Sequence, residues 1–92
     1  MIDLTVKTAN EINTDIAKRL AKIRRRKGFS QKKLAARSGV SLGSLKRFEQ
    51  TGEVSLHSLT KMAIALGLEE QLLELFADIP PATIEEVIRE QG

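Results

Sequence analysis

Residues 29–52 read FSQKKLAARSGVSLGSLKRFEQTG, and they contain two short amphipathic helical patterns joined by a three-residue turn. Ser30 stands at the N-cap of the first pattern, and Gly39 stands where a left-handed residue would end it. Ser41 is the natural N-cap of the second pattern, which Gly52 closes. The side chains expected to face inward are Leu34, Ala35, Val40, Leu45 and Phe48. The stretch is therefore predicted to be a helix-turn-helix.

The charge is divided unevenly along the chain. The net charge is +3, but residues 1–52 carry 13 Lys/Arg against 4 Asp/Glu, a net of +9, and residues 53–92 carry 2 against 8, a net of −6. A cationic surface of this density attracts a polyanion, because neutralising phosphates releases condensed counterions. The basic half is also the helix-turn-helix half, which favours a nucleic-acid contact over a merely solvated basic helix face.

Composition excludes several classes of protein. The 92 residues suffice for one domain with a small core, which dimerisation would enlarge. There is no cysteine, so neither a disulfide framework nor a thiolate metal site is expected. No apolar run approaches membrane-spanning length, and the N-terminus does not open a secretory signal. We expect a soluble cytoplasmic protein with no metal, no cofactor, no small-molecule substrate and no membrane contact.

Catalysis and RNA binding are both poorly supported by the residues. His57 is the sole histidine, and since no second His or Cys could share a metal with it, a surface position is expected. The glycine-containing turns show no phosphate-loop pattern. With three Phe and neither Tyr nor Trp, the chain has few of the aromatic platforms on which single-stranded nucleic acids stack. We therefore expect that the protein is not an enzyme.

Two patterns precede the helix-turn-helix. Residues 1–7 alternate apolar and polar side chains, which predicts either a short strand that pairs with its twin in a dimer or a disordered arm. Thr8 and Glu11 then have capping-box spacing at the start of a long helix that Gly28 ends. The apolar stripe of this helix is expected at Ile12, Ile16, Leu20 and Ile23.

Two further helices and a tail follow the helix-turn-helix. Ser55 caps a fourth helix that ends at Gly67. Its expected inward stripe comprises Leu56, Leu59, Met62, Ala63 and Leu66. A short fifth helix is predicted to contain Leu68, Leu72, Leu73, Leu75 and Phe76, more apolar side chains than one face needs. The remaining segment is a disordered tail, a helix added to a dimer interface, or an acidic ligand for another protein.

Along residues 14–76 the chain resembles the lambda-repressor-like (Cro/C1-type, XRE) family of helix-turn-helix proteins. The features that carry the resemblance are Gln31, the pair Leu34 and Ala35, the Gly-Val-Ser turn at 39–41, the pair Leu45 and Phe48 followed by Glu49, and the LxxLxKxAxALG run at 56–67. In this family the second helix of the motif lies in the major groove of double-stranded DNA, and the first helix bridges phosphates.

The resemblance implies a role for individual residues. Base contacts are assigned to Ser41, Leu42, Gly43, Ser44 and Arg47. Contacts with the DNA backbone are assigned to Ser30, Gln31, Lys32, Lys46, Lys22 and Arg26. A structural ion pair is implied between Arg24 and Glu49. A homodimer contact is implied at Leu72, Leu73, Leu75 and Phe76.

The residue types suit most of these roles. Arg47 offers a fork to O6 and N7 of guanine, and the serine hydroxyls can donate to bases or phosphates. Relatives often carry Gln or Asn where this chain has Leu42 and Gly43, so Arg47 and DNA shape are expected to supply much of the specificity. Leu42 is either a thymine-methyl contact or a partly exposed packing residue. Gly43 costs the helix about 1 kcal/mol against Ala, and a close approach of DNA backbone or sugar is a reason for it.

The sequence therefore predicts an all-α, five-helix, lambda-repressor-like domain with a short N-terminal strand or arm and a C-terminal tail. Residues 1–9 are predicted to form the arm, residues 10–77 the DNA-binding domain, and residues 78–92 the tail, with or without a short helix. The expected function is that of a homodimeric transcriptional repressor of a two-fold symmetric operator.

The alternative function is that of a DNA-binding antitoxin of the HipB and HigA kind, which also neutralises a partner toxin. Small size, the lack of a sensing domain and the extra segments at both ends favour it. A protein-interaction module that had lost DNA binding would have an acidic or neutral first and third helix, and this chain has neither.

Overall fold

Six α-helices make up the part of the chain that the structure, a computed structural model, describes, namely residues 6–78 and 81–91. They are α1 (Ala9–Arg26), α2 (Gln31–Ser38), α3 (Leu42–Thr51), α4 (Leu56–Ala65), α5 (Glu69–Leu73) and α6 (Ile84–Gln91). α3 packs against α1 and α2, while α4 packs against α2 and α5. The prediction of an all-α, lambda-repressor-like fold is confirmed.

Hydroxyl side chains begin the first four helices at the predicted positions. Thr8 forms a capping box: the backbone N–H of Glu11 donates to Thr8 Oγ1 at 3.1 Å, and the backbone N–H of Thr8 donates to Glu11 Oε1 at 3.2 Å. Ser30, Ser41 and Ser55 each accept a hydrogen bond from the backbone N–H three residues further on, at 3.0, 3.1 and 3.0 Å. These caps fix the residue at which each helix begins.

The core lies where α3 meets its neighbours. Its buried members are Ala17, Leu20, Leu34, Ala35, Val40, Leu45, Phe48, Met62 and Leu66. Leu45 and Phe48 come from the same face of α3 and are 0% and 1% exposed. Because that face is buried on both α1 and α2, the opposite face of α3 is directed to solvent.

The expected apolar stripe of α1 is wrong in its first half. Ile12 and Ile16 are exposed, whereas Ala17, Leu20, Ala21 and Arg24 are buried. The reason lies at the end of α3, where Gly52 approaches so closely that a Cβ on it would stand 2.7 Å from the carbonyl carbon of Asn13. Asn13 is exposed but precedes Ala17 by one turn, so this backbone contact lies in line with the buried positions 17, 20, 21 and 24 on the side of α1 that packs against α3.

Two further expectations about apolar residues need correction. Leu56 is the first residue of α4 and is exposed, so the inward stripe of α4 begins at Leu59. The fifth helix ends at Leu73, and the chain continues in turns through Leu75 and Phe76. Phe76 has a φ of 62°, in the left-handed region that bulky side chains rarely adopt. Helix α5 is thus too short to include these two side chains.

The two ends of the described chain differ in their contacts with the rest of the domain. The N-terminal strand was predicted for residues 1–7, and residues 1–5 lie outside the described residues. The Lys7 ammonium group donates to the Asp15 carboxylate on α1, and this hydrogen bond holds the pKa of Asp15 below its usual value. At the other end, every side chain of α6 is exposed.

Neither α6 nor any other helix within 6–78 and 81–91 combines the length and hydropathy that a membrane span requires.

Candidate nucleic-acid interface

The first turn of α3 presents small polar groups to solvent. Ser41 caps the helix and its hydroxyl also donates to Ser44 Oγ at 2.8 Å, so the two serines form one hydrogen-bonded pair. Gly43 lies between them, and a Cβ built on it would meet nothing within 4 Å. The protein itself therefore gives no steric reason for glycine at this position. The backbone of this turn is open to close approach from outside.

Leu42 lies on the border between this surface and the core. Its side chain is half buried and packs against the buried cluster, although it is the first residue of α3. This placement agrees with the packing interpretation of Leu42 and leaves only part of the side chain available to a ligand.

Arg47 is held by an acidic residue from the loop after α3. Its Nε donates to Glu53 Oε2 at 2.9 Å, and its Nη2 donates to the same oxygen. The two side chains are 68% and 62% exposed, so solvent screens the pair and it adds little to stability. The pair lines an open cleft between α3 and the start of α4, together with Ser44, Val54, Ser55 and Ser58.

A buried ion pair fixes the other end of α3. Arg24 Nε and Nη2 donate to the two carboxylate oxygens of Glu49 at 2.7 and 3.0 Å, and Nη1 donates to the backbone carbonyl of Phe29 at 2.7 Å. Gln31 Nε2 donates to Glu49 Oε1 at 3.0 Å. Both charged side chains are 8% exposed. One carboxylate thus links α1, α2 and α3, and it helps to fix the orientation of α3 relative to the other two helices.

The start of α2 combines a cap with cationic side chains. Ser30 caps the helix, and Gln31, predicted to contact the DNA backbone, uses one amide hydrogen for Glu49. Lys33 and Arg37 lie over the ring of Phe29, with the Lys33 ammonium 4.6 Å from the ring centroid. Lys33 and Arg37 were not among the predicted DNA contacts. The cations that were predicted to contact the DNA backbone are all exposed: Lys22, Arg26, Lys32 and Lys46.

The residues predicted to form a dimer contact are mostly solvent-exposed apolar groups. Leu73, Leu75 and Phe76 are 75%, 50% and 82% exposed, whereas Leu72 is half buried. Exposed aliphatic and aromatic side chains this close together are uncommon on a monomer surface.

Two side chains near α3 were missed by the sequence patterns. Glu53 lies six residues after Arg47, a distance that helical periodicity does not connect, and it reaches Arg47 only because Gly52 turns the chain. Lys61 Nζ donates to the carbonyl oxygen of Gly39 in the turn between α2 and α3, at 3.2 Å. A charged residue directly after a helix-ending glycine is the one sequence signal that could have indicated the first of them.

Comparison with known proteins agrees with this geometry. The family model described as helix-turn-helix matches residues 20–73, which include the whole of α2, α3 and α4. No curated protein matches the chain.

Proposed function

Because the chain belongs to the Cro/C1-type helix-turn-helix family of DNA-binding transcription regulators, we propose that it is a homodimeric repressor that reads the major groove of a two-fold symmetric operator. The observation that carries this proposal is the division of α3 into two faces. Leu45 and Phe48 are buried in the core, while Ser41, Gly43, Ser44 and Arg47 are exposed. A helix that is rigidly held on one side and polar on the other is suited to enter the groove.

Each proposed base contact has a chemical reason. Arg47 supplies paired N–H donors for O6 and N7 of guanine. Ser41 and Ser44 supply hydroxyl groups, and the absent side chain of Gly43 allows a base edge or sugar to approach the backbone. We propose a smaller role for Leu42, in which the exposed part of its side chain contacts a thymine methyl group.

Phosphate contacts would come from both sides of α3. Lys22 and Arg26 are one turn apart on α1 and share a face, and Lys32 and Lys46 belong to α2 and α3. Ser30 and Gln31 lie at the start of α2, where backbone N–H groups favour an anion. These contacts position the protein without distinguishing sequences.

We further propose that α5 and the turn after it form the dimer contact, through Leu72, Leu73, Leu75 and Phe76. Two-fold pairing would bury the exposed apolar groups and place two α3 helices about one helical turn of DNA apart. Phe76→Asp should give monomers in sedimentation equilibrium, whereas Ile12→Asp, at an exposed apolar site elsewhere, should leave the dimer intact. A dimeric Phe76→Asp protein would move the contact to another surface.

Selection of duplexes from a randomised pool tests the proposal as a whole. We expect a two-fold symmetric site whose half-sites lie about 10 base pairs apart, and for Arg47→Ala we expect the loss of preference at one base pair in each half-site, worth about 1–3 kcal/mol. Lys22→Glu should weaken selected and random duplexes alike and flatten the salt dependence. Recovery of random sequence by the wild-type protein would refute sequence-specific binding.

The antitoxin alternative is favoured by α6. This helix carries Ile84, Val87 and Ile88 at helical spacing, and they are 81%, 40% and 63% exposed. An amphipathic helix with an uncovered apolar face is the form in which many peptides enter a groove on another protein. For this alternative we propose that the partner is a toxin encoded beside this chain.

Calorimetric titration with the product of the neighbouring gene tests this alternative. Val87→Asp should abolish binding, and Glu86→Gln, a change on the polar side of α6, should preserve it. Absence of binding by the wild-type chain would leave the stand-alone repressor as the function.

A further inference from the structure

The turn after α3 is built to return the chain toward Arg47. Thr51 Oγ1 donates to the carbonyl oxygen of Arg47 at 2.7 Å and accepts from the backbone N–H of Glu53 at 3.1 Å. Between them Gly52 is buried, with a φ of 79°, against the backbone of α1. Because the backbone N–H of Glu53 is held by Thr51 directly after the buried Gly52, the Glu53 carboxylate lies at one side of the Arg47 guanidinium group.

Within residues 6–78 and 81–91, no hydrogen bond uses the other edge of that group, which is therefore open to a ligand. Arg47 uses Nε and one Nη2 hydrogen, the pair along the side of the guanidinium, for Glu53 Oε2. A guanidinium has five N–H donors. The remaining end-on edge consists of parallel N–H groups from Nη1 and Nη2, and this fork matches the spacing of O6 and N7 on guanine.

We propose that Glu53 is a specificity-determining positioning residue, which orients the end-on edge of Arg47 toward guanine. The inference rests on the proposed function, in which Arg47 contacts a base. A carboxylate beside a DNA-contacting helix is repelled by phosphates, so it lowers the affinity for every duplex. As an exposed ion pair it contributes little stability. Its benefit is selectivity: an arginine already paired with a carboxylate is less attracted to phosphates, which carry no sequence information.

The opposite role for Glu53 would be to mask Arg47 and keep it away from the bases. The two roles predict changes of opposite sign when the carboxylate is removed. If Glu53 positions Arg47, Glu53→Gln releases the guanidinium to contact phosphates and the guanine preference falls. If Glu53 masks Arg47, the same substitution frees the guanidinium for guanine and the preference rises.

The experiment compares the wild-type protein with three variants, Arg47→Ala, Glu53→Gln and Glu90→Gln, by selection from randomised duplex DNA. Glu90 lies on α6 and its substitution removes the same charge away from α3, so it serves as the matched control. Titrations of the selected site and of random duplex at several salt concentrations then give the preference for guanine and the salt slope of each variant. Far-UV circular dichroism checks that each variant is folded.

We expect Arg47→Ala to abolish the preference for guanine at one position, and Glu53→Gln to lower the preference at that same position by about threefold or more. A complete bidentate contact supplies roughly 5- to 150-fold. Glu53→Gln should also bind random duplex more tightly, with a salt slope steeper by up to about 0.9 for each new phosphate contact. Glu90→Gln should match the wild type in base preference.

The failure of this inference is distinct from the failure of the proposed function. If Arg47→Ala loses the preference but Glu53→Gln keeps or sharpens it, the positioning role is overturned and base reading by Arg47 stands. If Arg47→Ala changes no position of the selected site, Arg47 does not read a base, and both conclusions fall together.

Discussion

Removal of the Glu49 side chain should weaken the fold strongly. Its carboxylate accepts two hydrogen bonds from Arg24, at 2.7 and 3.0 Å, and one from Gln31 at 3.0 Å. In Glu49→Ala, the Arg24 guanidinium would stay buried, and the carbonyl oxygen of Phe29 would be its one remaining acceptor among the described residues. Breaking a buried pair in this way costs about 3–5 kcal/mol. A domain of this size has a free energy of unfolding of roughly 5–14 kcal/mol, so the loss is a large fraction of the total.

Urea denaturation followed by far-UV circular dichroism measures this loss, since the chain has no Trp or Tyr to serve as a fluorescent probe. Protein concentration must be held fixed across variants, because a dimer gains stability with concentration. Glu53→Ala is the matched control: it removes the same residue type from an exposed ion pair and should cost less than about 1 kcal/mol.

A double-mutant cycle separates the ion pair from other effects of truncation. Arg24→Met combined with Glu49→Leu replaces two buried charges by apolar groups, and such replacements are often close to neutral. We expect the loss of unfolding free energy in the double variant to be smaller, by about 2 kcal/mol or more, than the sum of the losses in the two single variants. A cost below about 1 kcal/mol for Glu49→Ala, or additive single effects in the cycle, would refute the structural importance assigned to the pair.

Three other predictions concern stability and titration. Gly43→Ala should raise the free energy of unfolding by about 0.5–1 kcal/mol, because its Cβ meets open space; it should also weaken operator binding if DNA approaches this backbone, as filter-binding titration would show. Gly52→Ala should cost about 2–4 kcal/mol, since its Cβ would collide with the backbone of α1, whereas Gly28→Ala has only the left-handed backbone penalty; equal costs in urea denaturation would contradict the collision. The carboxyl of Asp15 should titrate below its ordinary pKa of 3.8 in an NMR titration. The stability it contributes is present above that value and is lost as the pH falls through the lower, folded-state pKa, and Lys7→Met should return the pKa toward 3.8; an unchanged pKa would remove Lys7 as the cause.

Local patterns predicted the helix starts and the motif because the interactions involved are local. Ser30, Ser41 and Ser55 cap their helices through hydrogen bonds to residues three positions away, and the sequence shows that spacing directly. Val40 precedes the N-cap Ser41 and Leu45 follows it by four residues, a spacing at which two apolar side chains pack together, and both are buried.

The candidate site could be predicted only in part. The family pattern supplied Arg47 and the serines of α3, and the charge division along the chain indicated a polyanion. Neither of these signals indicated Glu53 as the partner of Arg47, because a contact across a left-handed turn has no periodic signature in the sequence. The sequence also did not show that Gln31 would share the Glu49 carboxylate with Arg24.

The sequence by itself determined the helices, their caps and the helix-turn-helix, since hydrogen bonds and apolar spacing within a few residues specify each of them. Only the tertiary structure decided which face of α1 is buried: α1 packs against α3 along the side where Gly52 meets Asn13, and Ile12 and Ile16 lie exposed despite their hydropathy. It likewise decided that Leu75 and Phe76 lie beyond α5, exposed to solvent. Packing between distant segments chooses among the faces that amphipathic patterns allow, and that choice depends on interhelical distances that no local pattern contains.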